Sequence, residues 1–405
     1  MKKLLFVLSA LLISVSVLGS CAWKQSEQED QIERLDIEVL AANIDMVAQY
    51  DLSQNKVFGS AYCVYQDGVT YEKCYGTTAL DGQNEVTNAS IFRLASMSKP
   101  ITTVAALILV DRGLLSLSAP ISKYIPDFAG IKIKDARGRT TNVINAPTVW
   151  NILTHTSGIG SDAKKTDRMT ANDKKTLDDS IAFYVRSGLD FEPGSMQMYS
   201  GTGSFDVLSK IVEIVSEKTL AEFLKDEIFD PCGMTDTTFV PTAEQRKRMV
   251  TMHNRVDGEN AEFAIPEGYI FGDYPETHYL GGAGLVSTLS DYAKFALMLL
   301  NKGKVGNKTI LTEKTFNQLC TAQVDSDIMP GQYRWGLGVR VITDDMYPTL
   351  PVGSFGWSGA YGTHFWVDPV NKIFAVFMKN SVVDGGAGNE SALSFENAVY
   401  DSFED

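Results

Sequence analysis

Three serine and lysine pairs in this chain have a spacing that one turn of helix brings together, and a lysine beside a serine hydroxyl can make that hydroxyl a nucleophile. The pairs are Ser53 and Lys56, Ser96 and Lys99, and Ser161 and Lys164. Only Ser96 is followed by a long apolar run at helical spacing, formed by Ile101, Val104, Ala105, Ile108 and Leu109. The other two pairs lie in polar sequence typical of loops. The context therefore selects Ser96 as the candidate nucleophile.

Lys99 is the candidate base for Ser96. Side chains three residues apart at the start of a helix have Cβ atoms about 5 to 6 Å apart, so the amine can reach the hydroxyl. Burial beside an apolar helix removes hydration and disfavours the charged form of a lysine, which lets the amine accept a proton. The alternative is structural: Ser96 caps the helix and Lys99 is a solvated residue of its first turn, although a cation there opposes the helix dipole.

The overall composition limits the kinds of function. With 405 residues, of which 44% are hydrophobic and 21% charged, the chain has ample apolar material for the core of one large domain. A formal net charge of -14 argues against nucleic acid as a partner. The four histidines, His155, His253, His278 and His364, show no metal-ligand spacing, so we expect neither a metal site nor a cofactor.

The N-terminal residues have the pattern of an export signal. Lys2 and Lys3 precede an uncharged apolar run, Leu4–Leu18, that is too short for a permanent membrane span, and Leu18-Gly19-Ser20-Cys21 resembles the lipobox of bacterial lipoproteins. We expect a signal peptide over residues 1–20, lipidation of Cys21, an acidic tether over residues 21–44 and the folded domain over residues 45–405. The protein would then be exported and held by its lipid at a bacterial cell-envelope membrane. The alternative is a plain signal peptide with an incidental cysteine.

The secondary-structure pattern predicts an α+β fold. A hairpin over residues 57–75 turns at Asp67-Gly68, strands are expected over 333–341, 362–368 and 373–378, and a closing helix over 391–403. The region between the hairpin and these strands has a mainly helical pattern. This order predicts an antiparallel sheet formed by both chain ends and flanked by helices, with a large helical second lobe. Ligands usually bind in the cleft between two such lobes.

Cys63 and Cys74 lie on the two arms of that hairpin. With a two-residue loop, Cys63 would face Glu72 rather than Cys74. The pattern therefore leaves open whether the two cysteines are bridged.

Several motifs in a fixed order resemble the family of class C β-lactamases and penicillin-binding proteins, over about residues 45–400. They are Phe92-Arg93-Leu94-Ala95-Ser96-Met97-Ser98-Lys99-Pro100, Leu153-Thr154-His155-Thr156-Ser157-Gly158, Phe191-Glu192-Pro193-Gly194 with Tyr199-Ser200, and Gly282-Ala283-Gly284-Leu285-Val286-Ser287-Thr288. The resemblance implies the β-lactamase/transpeptidase-like fold and a serine hydrolase that works through an acyl-enzyme.

The resemblance also assigns roles to single residues. Ser96 would attack the acyl carbonyl, Lys99 would assist as base, and Tyr199 would carry the proton between the nucleophile and the leaving group. The backbone N–H groups of Ser96 and Ala360 would form the oxyanion hole. Without the resemblance, we would interpret Tyr199 as a core tyrosine at the start of a helix.

Two positions depart from the family pattern. Gly201 follows Tyr199-Ser200 where the family usually has asparagine. Trp357-Ser358-Gly359 stands in place of Lys-Thr-Gly, whose lysine helps to hold a substrate carboxylate. A tryptophan at this position is similar to the family VIII carboxylesterases. We therefore expect Trp357, Ser358 and Gly359 to bind the substrate, with the indole favouring apolar acyl groups.

The preferred hypothesis is an esterase that acts on short acyl esters, with a small-molecule ester or amide as its substrate. A β-lactamase, or a D-amino-acid peptidase or carboxypeptidase, is the alternative within the family. A non-catalytic surface-binding lipoprotein of the same fold is the alternative from another class, and the missing asparagine at position 201 is its best support.

Two further glycine motifs resemble signatures of other protein classes. Gly356-x-Ser358-x-Ala360 resembles the nucleophile elbow of α/β-hydrolases, but the residues after it predict a strand where the elbow requires a helix. Gly281-Gly282-Ala283-Gly284 lacks the pattern of a nucleotide-binding loop. We interpret it as tight backbone beside the active site.

Overall fold

The computed structural model describes residues 32–264 and 277–404, so the expected signal peptide and Cys21 lie outside the described residues. The helices are α1 (Ile37–Ser53), α2 (Ser98–Asp111), α3 (Val149–Leu153), α4 (Ala163–Thr166), α5 (Leu177–Ser187), α6 (Gly203–Ser216), α7 (Leu220–Leu224), α8 (Asp230–Cys232), α9 (Ala243–Lys247), α10 (Leu289–Leu300), α11 (Glu313–Cys320) and α12 (Glu390–Tyr400). The strands are β1 (Gly59–Gln66), β2 (Val69–Gly76), β3 (Ile91–Arg93), β4 (Lys132–Lys134), β5 (Thr140–Asn142), β6 (His253–Val256), β7 (Glu259–Glu262), β8 (Val286–Thr288), β9 (Lys304–Val305), β10 (Lys308–Thr309), β11 (Tyr333–Trp335), β12 (Arg340–Ile342), β13 (Phe355–Ser358), β14 (His364–Asp368) and β15 (Ile373–Lys379). None of the helices in these ranges is long and apolar enough to cross a membrane.

Helix α1 begins before the boundary that we placed at residue 45. Asp36 caps the helix, because its carboxylate accepts hydrogen bonds from the N–H groups of Glu38 and Val39. Leu40 and Ile44, one turn apart, are buried in the core under the sheet. A tether has no buried face, so the expected tether over residues 21–44 extends too far. The folded domain begins ahead of α1.

A seven-stranded antiparallel sheet contains both ends of the domain, which confirms the predicted topology. Its strand order is β11-β12-β13-β14-β15-β1-β2. The N-terminal hairpin joins the C-terminal strands through the pairing of β1 with β15, in which Cys63 lies opposite Val376.

The first hairpin has the register expected from a two-residue turn. Gln66 pairs with Val69 across Asp67-Gly68, and both turn residues have positive φ, as a type I′ turn requires. Cys63 faces Glu72, and Cys74 faces Ala61. The two cysteines are therefore not opposite one another, and both are free thiols.

Both faces of the sheet are covered, and alternate residues of each strand point to opposite sides. On β1, Tyr62 and Val64 pack into one core with helices α1 and α12. Ala61 and Cys63 pack into the other core, which includes Tyr292 of α10. The same alternation decides which residues of β13 can face the helical lobe.

Helix α2 runs through the centre of the helical lobe. Every residue from Ser98 to Leu109 is buried, and α2 packs against α6, α7 and α11. A 3₁₀ turn over Ala95–Met97 precedes the helix and contacts strand β13 of the sheet. The start of α2 therefore lies where the two lobes meet.

Candidate active site

Ser96 lies on the 3₁₀ turn between β3 and α2. Strand β3 pairs with β8, and the Leu94 N–H donates to the Leu285 carbonyl at 2.9 Å, so the backbone is fixed up to two residues before the serine. Ala95 has φ +45°, a left-handed conformation that costs a non-glycine residue of order 1 kcal/mol or more. Strain of this kind persists only where the surrounding structure holds it, and here it sets the position of Ser96.

Lys99 is completely buried, and its amine has three neighbours that can accept hydrogen bonds. Nζ lies 3.1 Å from Ser96 Oγ, 2.6 Å from the Gly201 carbonyl and 2.8 Å from the Gly282 carbonyl. A carbonyl oxygen can only accept, so a neutral amine would give its two N–H groups to the carbonyls and direct its lone pair at the Ser96 hydroxyl. This arrangement is suited to removing the serine proton.

Gly201 and Gly282 thus contribute their backbone to the site. Gly201 stands at the position of the absent asparagine, where it supplies a carbonyl to Lys99. The turn around Gly282 is tight: a Cβ at Gly281 would collide with Ser209 Oγ, while the Gly281 carbonyl accepts from Thr102 Oγ1 at 2.7 Å. The interpretation of 281–284 as close-packed backbone beside the site agrees with this geometry.

Tyr199 completes a three-membered hydrogen-bond group. Its hydroxyl lies 2.8 Å from Ser96 Oγ, and Lys99 Nζ lies 4.9 Å from the centre of its ring. The indole Nε1–H of Trp357 donates to the same hydroxyl at 3.3 Å. The Tyr199 oxygen is therefore hydrogen-bonded both to the Ser96 hydroxyl and to the Trp357 indole N–H, a donor that can stabilise negative charge on that oxygen.

An aromatic cluster surrounds the Tyr199 ring. The centre of the His155 ring lies 4.5 Å from those of Tyr199 and Trp335, and Trp335 lies 4.6 Å from Trp357. His155 Nδ1 accepts the Ser200 N–H at 3.2 Å. Burial holds the pKa of His155 well below 6.5. His155 is therefore a neutral support for the loop that carries Tyr199.

The other two Ser-x-x-Lys pairs have no comparable arrangement. Lys56 forms an ion pair with Glu390 at 2.9 Å. Ser161 Oγ donates to the Met198 carbonyl at 3.1 Å. Of the three pairs, only Ser96 and Lys99 are in direct hydrogen-bond contact.

Strand β13 brings Trp357 to the site but turns Ser358 away from it. Ser358 Oγ bonds His364 Nδ1 at 2.8 Å, and His364 Nε2 bonds Glu396 at 2.8 Å, on the face of the sheet that α12 covers. Because side chains alternate along a strand, the Ser358 hydroxyl cannot share the face of Trp357. The position corrects the predicted substrate-binding role of Ser358 to this extent: its side chain does not face the site.

The chain Ser358–His364–Glu396 has the order of a serine hydrolase triad, yet it is structural. All three side chains are buried, Ser358 and His364 on the sheet and Glu396 on α12. Arg340 lies 3.2 Å from Glu396; burial would raise the pKa of Glu396, but His364 and Arg340 lower it. The sequence-based predictions do not include this chain, although the short turn between β13 and β14, which pairs Ser358 with His364, could have indicated it.

Gly359 and Ala360 follow β13 and lie against the turn that carries the nucleophile. A Cβ at Gly359 would collide with the Leu94 carbonyl, and Thr363 Oγ1 donates to that carbonyl at 3.0 Å. Within the described ranges, the Ala360 N–H meets no acceptor. Such a free N–H beside the nucleophile turn is what an oxyanion hole requires, and the role of Ala360 stays a prediction.

The part of the chain that the structure describes contains no candidate metal site. No group of three or more histidine, cysteine, aspartate or glutamate side chains there could hold a metal ion.

Comparisons with known proteins agree with this geometry. A family model described as Beta-lactamase matches residues 40–394. Esterase EstB from Burkholderia gladioli is 28% identical, over 90% of this chain and 96% of that protein. Penicillin-binding protein 4 from Amycolatopsis lactamdurans is 27% identical, over 82% of this chain and 83% of that protein.

A solved structure shares the fold over nearly the whole domain. EstCE1, described as a hydrolase with promiscuous acyltransferase activity, has a TM-score of 0.76 at 24% identity, over 90% of this chain and 99% of that chain. The family model spans most of the chain, and the Ser96, Lys99 and Tyr199 side chains meet as a serine hydrolase requires. The chain therefore belongs to the Beta-lactamase family of serine hydrolases.

Proposed function

We propose that the chain is an esterase for short acyl esters, acting through an acyl-enzyme on Ser96. The observation that carries this proposal is Trp357. It occupies the position at which the family resemblance places a lysine, and it donates to Tyr199 Oη. A tryptophan supplies an apolar wall and one neutral donor, but no charge for a substrate carboxylate.

The acylation step follows from the distances around Ser96. Lys99 Nζ, 3.1 Å from Ser96 Oγ, accepts the hydroxyl proton as Oγ forms a bond to the ester carbonyl carbon. The carbonyl oxygen becomes an oxyanion held by the N–H groups of Ser96 and Ala360. Tyr199 passes a proton to the departing alkoxide, which leaves as an alcohol, and the proton that Lys99 took from Ser96 then returns to Tyr199. Water then attacks the acyl-enzyme by the reverse proton path and releases the acid.

The electrostatics of the site also favour a neutral substrate. Lys99 Nζ lies 4.9 Å from the centre of the Tyr199 ring, and this amine is already bonded to Ser96 and two backbone carbonyls. A substrate carboxylate would enter a strongly acidic protein without a counter-charge from Trp357. The name of Esterase EstB, which is similar over most of both chains, supports an ester as the substrate.

A substrate panel on one preparation tests the proposal. We expect p-nitrophenyl butyrate to be hydrolysed with a far larger kcat/KM than nitrocefin or an acyl-D-Ala-D-Ala peptide. Ser96→Ala should abolish all ester turnover. More efficient turnover of nitrocefin or of the peptide would defeat the esterase proposal. If a fluorophosphonate probe labels no serine in the wild type, the chain is instead a non-catalytic binder.

We further propose that Cys21 is lipidated and anchors the exported protein to a bacterial cell-envelope membrane. The support is the sequence Leu18-Gly19-Ser20-Cys21 after an apolar run. Expression in a bacterium fed with labelled palmitate should give a labelled protein in the membrane fraction. Cys21→Ser should lose the label and leave the membrane, and equal labelling of the two would refute the anchor.

A further inference from the structure

Residues 379–386, which we name the clamp segment, connect the end of β15 to the loop before α12. One side of this segment is bonded to the strand that leads to Ser96. Asn380 Oδ1 accepts the Arg93 N–H at 2.9 Å, and Asn380 Nδ2 donates to the Arg93 carbonyl at 3.1 Å. A side-chain amide that pairs with both backbone groups of one residue fixes that residue as a neighbouring strand would. Arg93 lies at the end of β3, three residues before the nucleophile.

The other side of the clamp segment is bonded to residues 359–361. The Gly386 N–H donates to the Gly359 carbonyl at 3.1 Å, and the Ser381 N–H donates to the Tyr361 carbonyl at 2.9 Å. The Gly359 carbonyl and the Ala360 N–H belong to one planar trans peptide, so they point in opposite directions. Holding that carbonyl therefore fixes the direction of the Ala360 N–H.

A buried ion pair anchors the clamp segment. Lys379 is completely buried, and its Nζ lies 2.8 Å from Asp384 Oδ2 and 2.9 Å from Ser391 Oγ. Burial lowers the pKa of Lys379; burial would raise that of Asp384, but Lys379 and Ser391 hold it at about 2. The Lys379 stem also lies directly under Gly362, where a Cβ would collide with it. Lys379, at the start of the segment, is thus held to Asp384 within it and to Ser391 of α12.

We infer that Asn380 is a positioning residue for the oxyanion hole. It joins the backbone before Ser96 to the segment that fixes the Ala360 N–H, so it sets the spacing of the two N–H donors. Asn380 acts through Arg93: the residue is 2% exposed, and its amide is bonded to backbone. This inference rests on the proposed function, because it assigns the spacing of groups that the ester mechanism uses.

The test compares an aryl ester with its thionoester, in which the carbonyl oxygen is replaced by sulfur. A well-formed oxyanion hole favours oxygen, because sulfur is larger and a weaker hydrogen-bond acceptor. We expect Asn380→Ala to lower kcat for p-nitrophenyl butyrate about tenfold with little change in KM, and to reduce the ester-to-thionoester ratio of kcat/KM about tenfold. Asn380→Asp keeps an acceptor for the Arg93 N–H but sets a carboxylate oxygen against the Arg93 and Lys379 carbonyls, so it should reduce the ratio at least as much.

Asn371→Ala is the matched control. Asn371 is another buried asparagine on the opposite end of β15, where its Nδ2 donates to Asp368 at 2.8 Å. It should lower the melting temperature without changing the ester-to-thionoester ratio. An unchanged ratio in both Asn380 variants, or an equal change in Asn371→Ala, overturns the inference. If a fluorophosphonate labels Ser96 in the wild type but the protein hydrolyses no ester, the proposed function is overturned instead. The inference about Asn380 is then tested by comparing the rates at which the fluorophosphonate labels the wild type and Asn380→Ala. Equal labelling rates overturn that inference.

Discussion

Replacing Trp357 by phenylalanine removes one hydrogen bond from the site and keeps an aromatic ring in place. The indole N–H donates to Tyr199 Oη at 3.3 Å, and this oxygen bears negative charge when its proton has moved to the leaving group. A hydrogen bond to a charged group contributes about 1.5–3 kcal/mol, and the long separation places this one near the lower value. Trp357→Phe should therefore lower kcat/KM for p-nitrophenyl butyrate about tenfold.

Trp335 offers a matched control for that substitution. Its ring lies 4.6 Å from Trp357 and 6.0 Å from Tyr199, and within the described residues its buried Nε1–H has no hydrogen-bond partner. Trp335→Phe makes the same change of ring but removes no hydrogen bond, so its effect on kcat/KM should be several times smaller. The melting temperature of both variants should be measured, so that a loss of kcat/KM caused by lost packing can be recognised. Equal losses of kcat/KM in the two variants, or no loss in Trp357→Phe, would refute a role for the indole N–H.

Three further changes test other parts of the site. Lys99→Met should lower kcat/KM by about 10² to 10⁴, because it removes the base, and a circular dichroism spectrum like the wild type's is the check on folding; near-normal activity would exclude Lys99 as base. Gly359→Ala should lose activity and about 1–3 kcal/mol of stability, because its Cβ would collide with the Leu94 carbonyl; urea unfolding at wild-type midpoint would contradict this. The pKa of His155 in the folded protein lies below the unfolded value of 6.5, so His155 stabilises the fold fully above pH 6.5 and less as the pH falls. The free energy of unfolding in urea should therefore decline less steeply below pH 6.5 in His155→Gln than in the wild type. Parallel declines in the two proteins would contradict this prediction.

Local patterns predicted the elements that carry their own signal. The two-residue turn at Asp67-Gly68 set the hairpin register, including the pairing of Cys63 with Glu72. The apolar spacing after Ser96 correctly indicated a buried helix, although that helix begins at Ser98 and the nucleophile lies on the 3₁₀ turn before it. These features depend on residues that are close in the chain, so the sequence contains them directly.

Contacts between distant segments were not visible in the same way. Nothing near Gly201 indicates that its carbonyl would accept from Lys99, 102 residues away. Asn380 and Arg93 are 287 residues apart, and their pairing exists only because β15 ends beside β3. The family resemblance supplied Tyr199, since a lone tyrosine in a loop has no pattern that marks it as catalytic.

Strand alternation explains the misplaced role of Ser358. The sequence predicts substrate binding by all three residues of Trp357-Ser358-Gly359, but successive side chains of a strand point to opposite faces. Trp357 faces Tyr199, whereas Ser358 faces His364 under α12. Which residues of β13 face the active site depends on the elements that pack against the strand, and those elements are remote in the chain.

The identity of the nucleophile is tested most directly by mass analysis of the trapped acyl-enzyme. The protein is mixed with p-nitrophenyl butyrate, quenched in acid within its steady state and digested. We predict one butyryl group on the peptide that contains Ser96, and none in Ser96→Ala. A butyryl group on Ser358 or any other residue, with Ser96 unmodified, would contradict the mechanism.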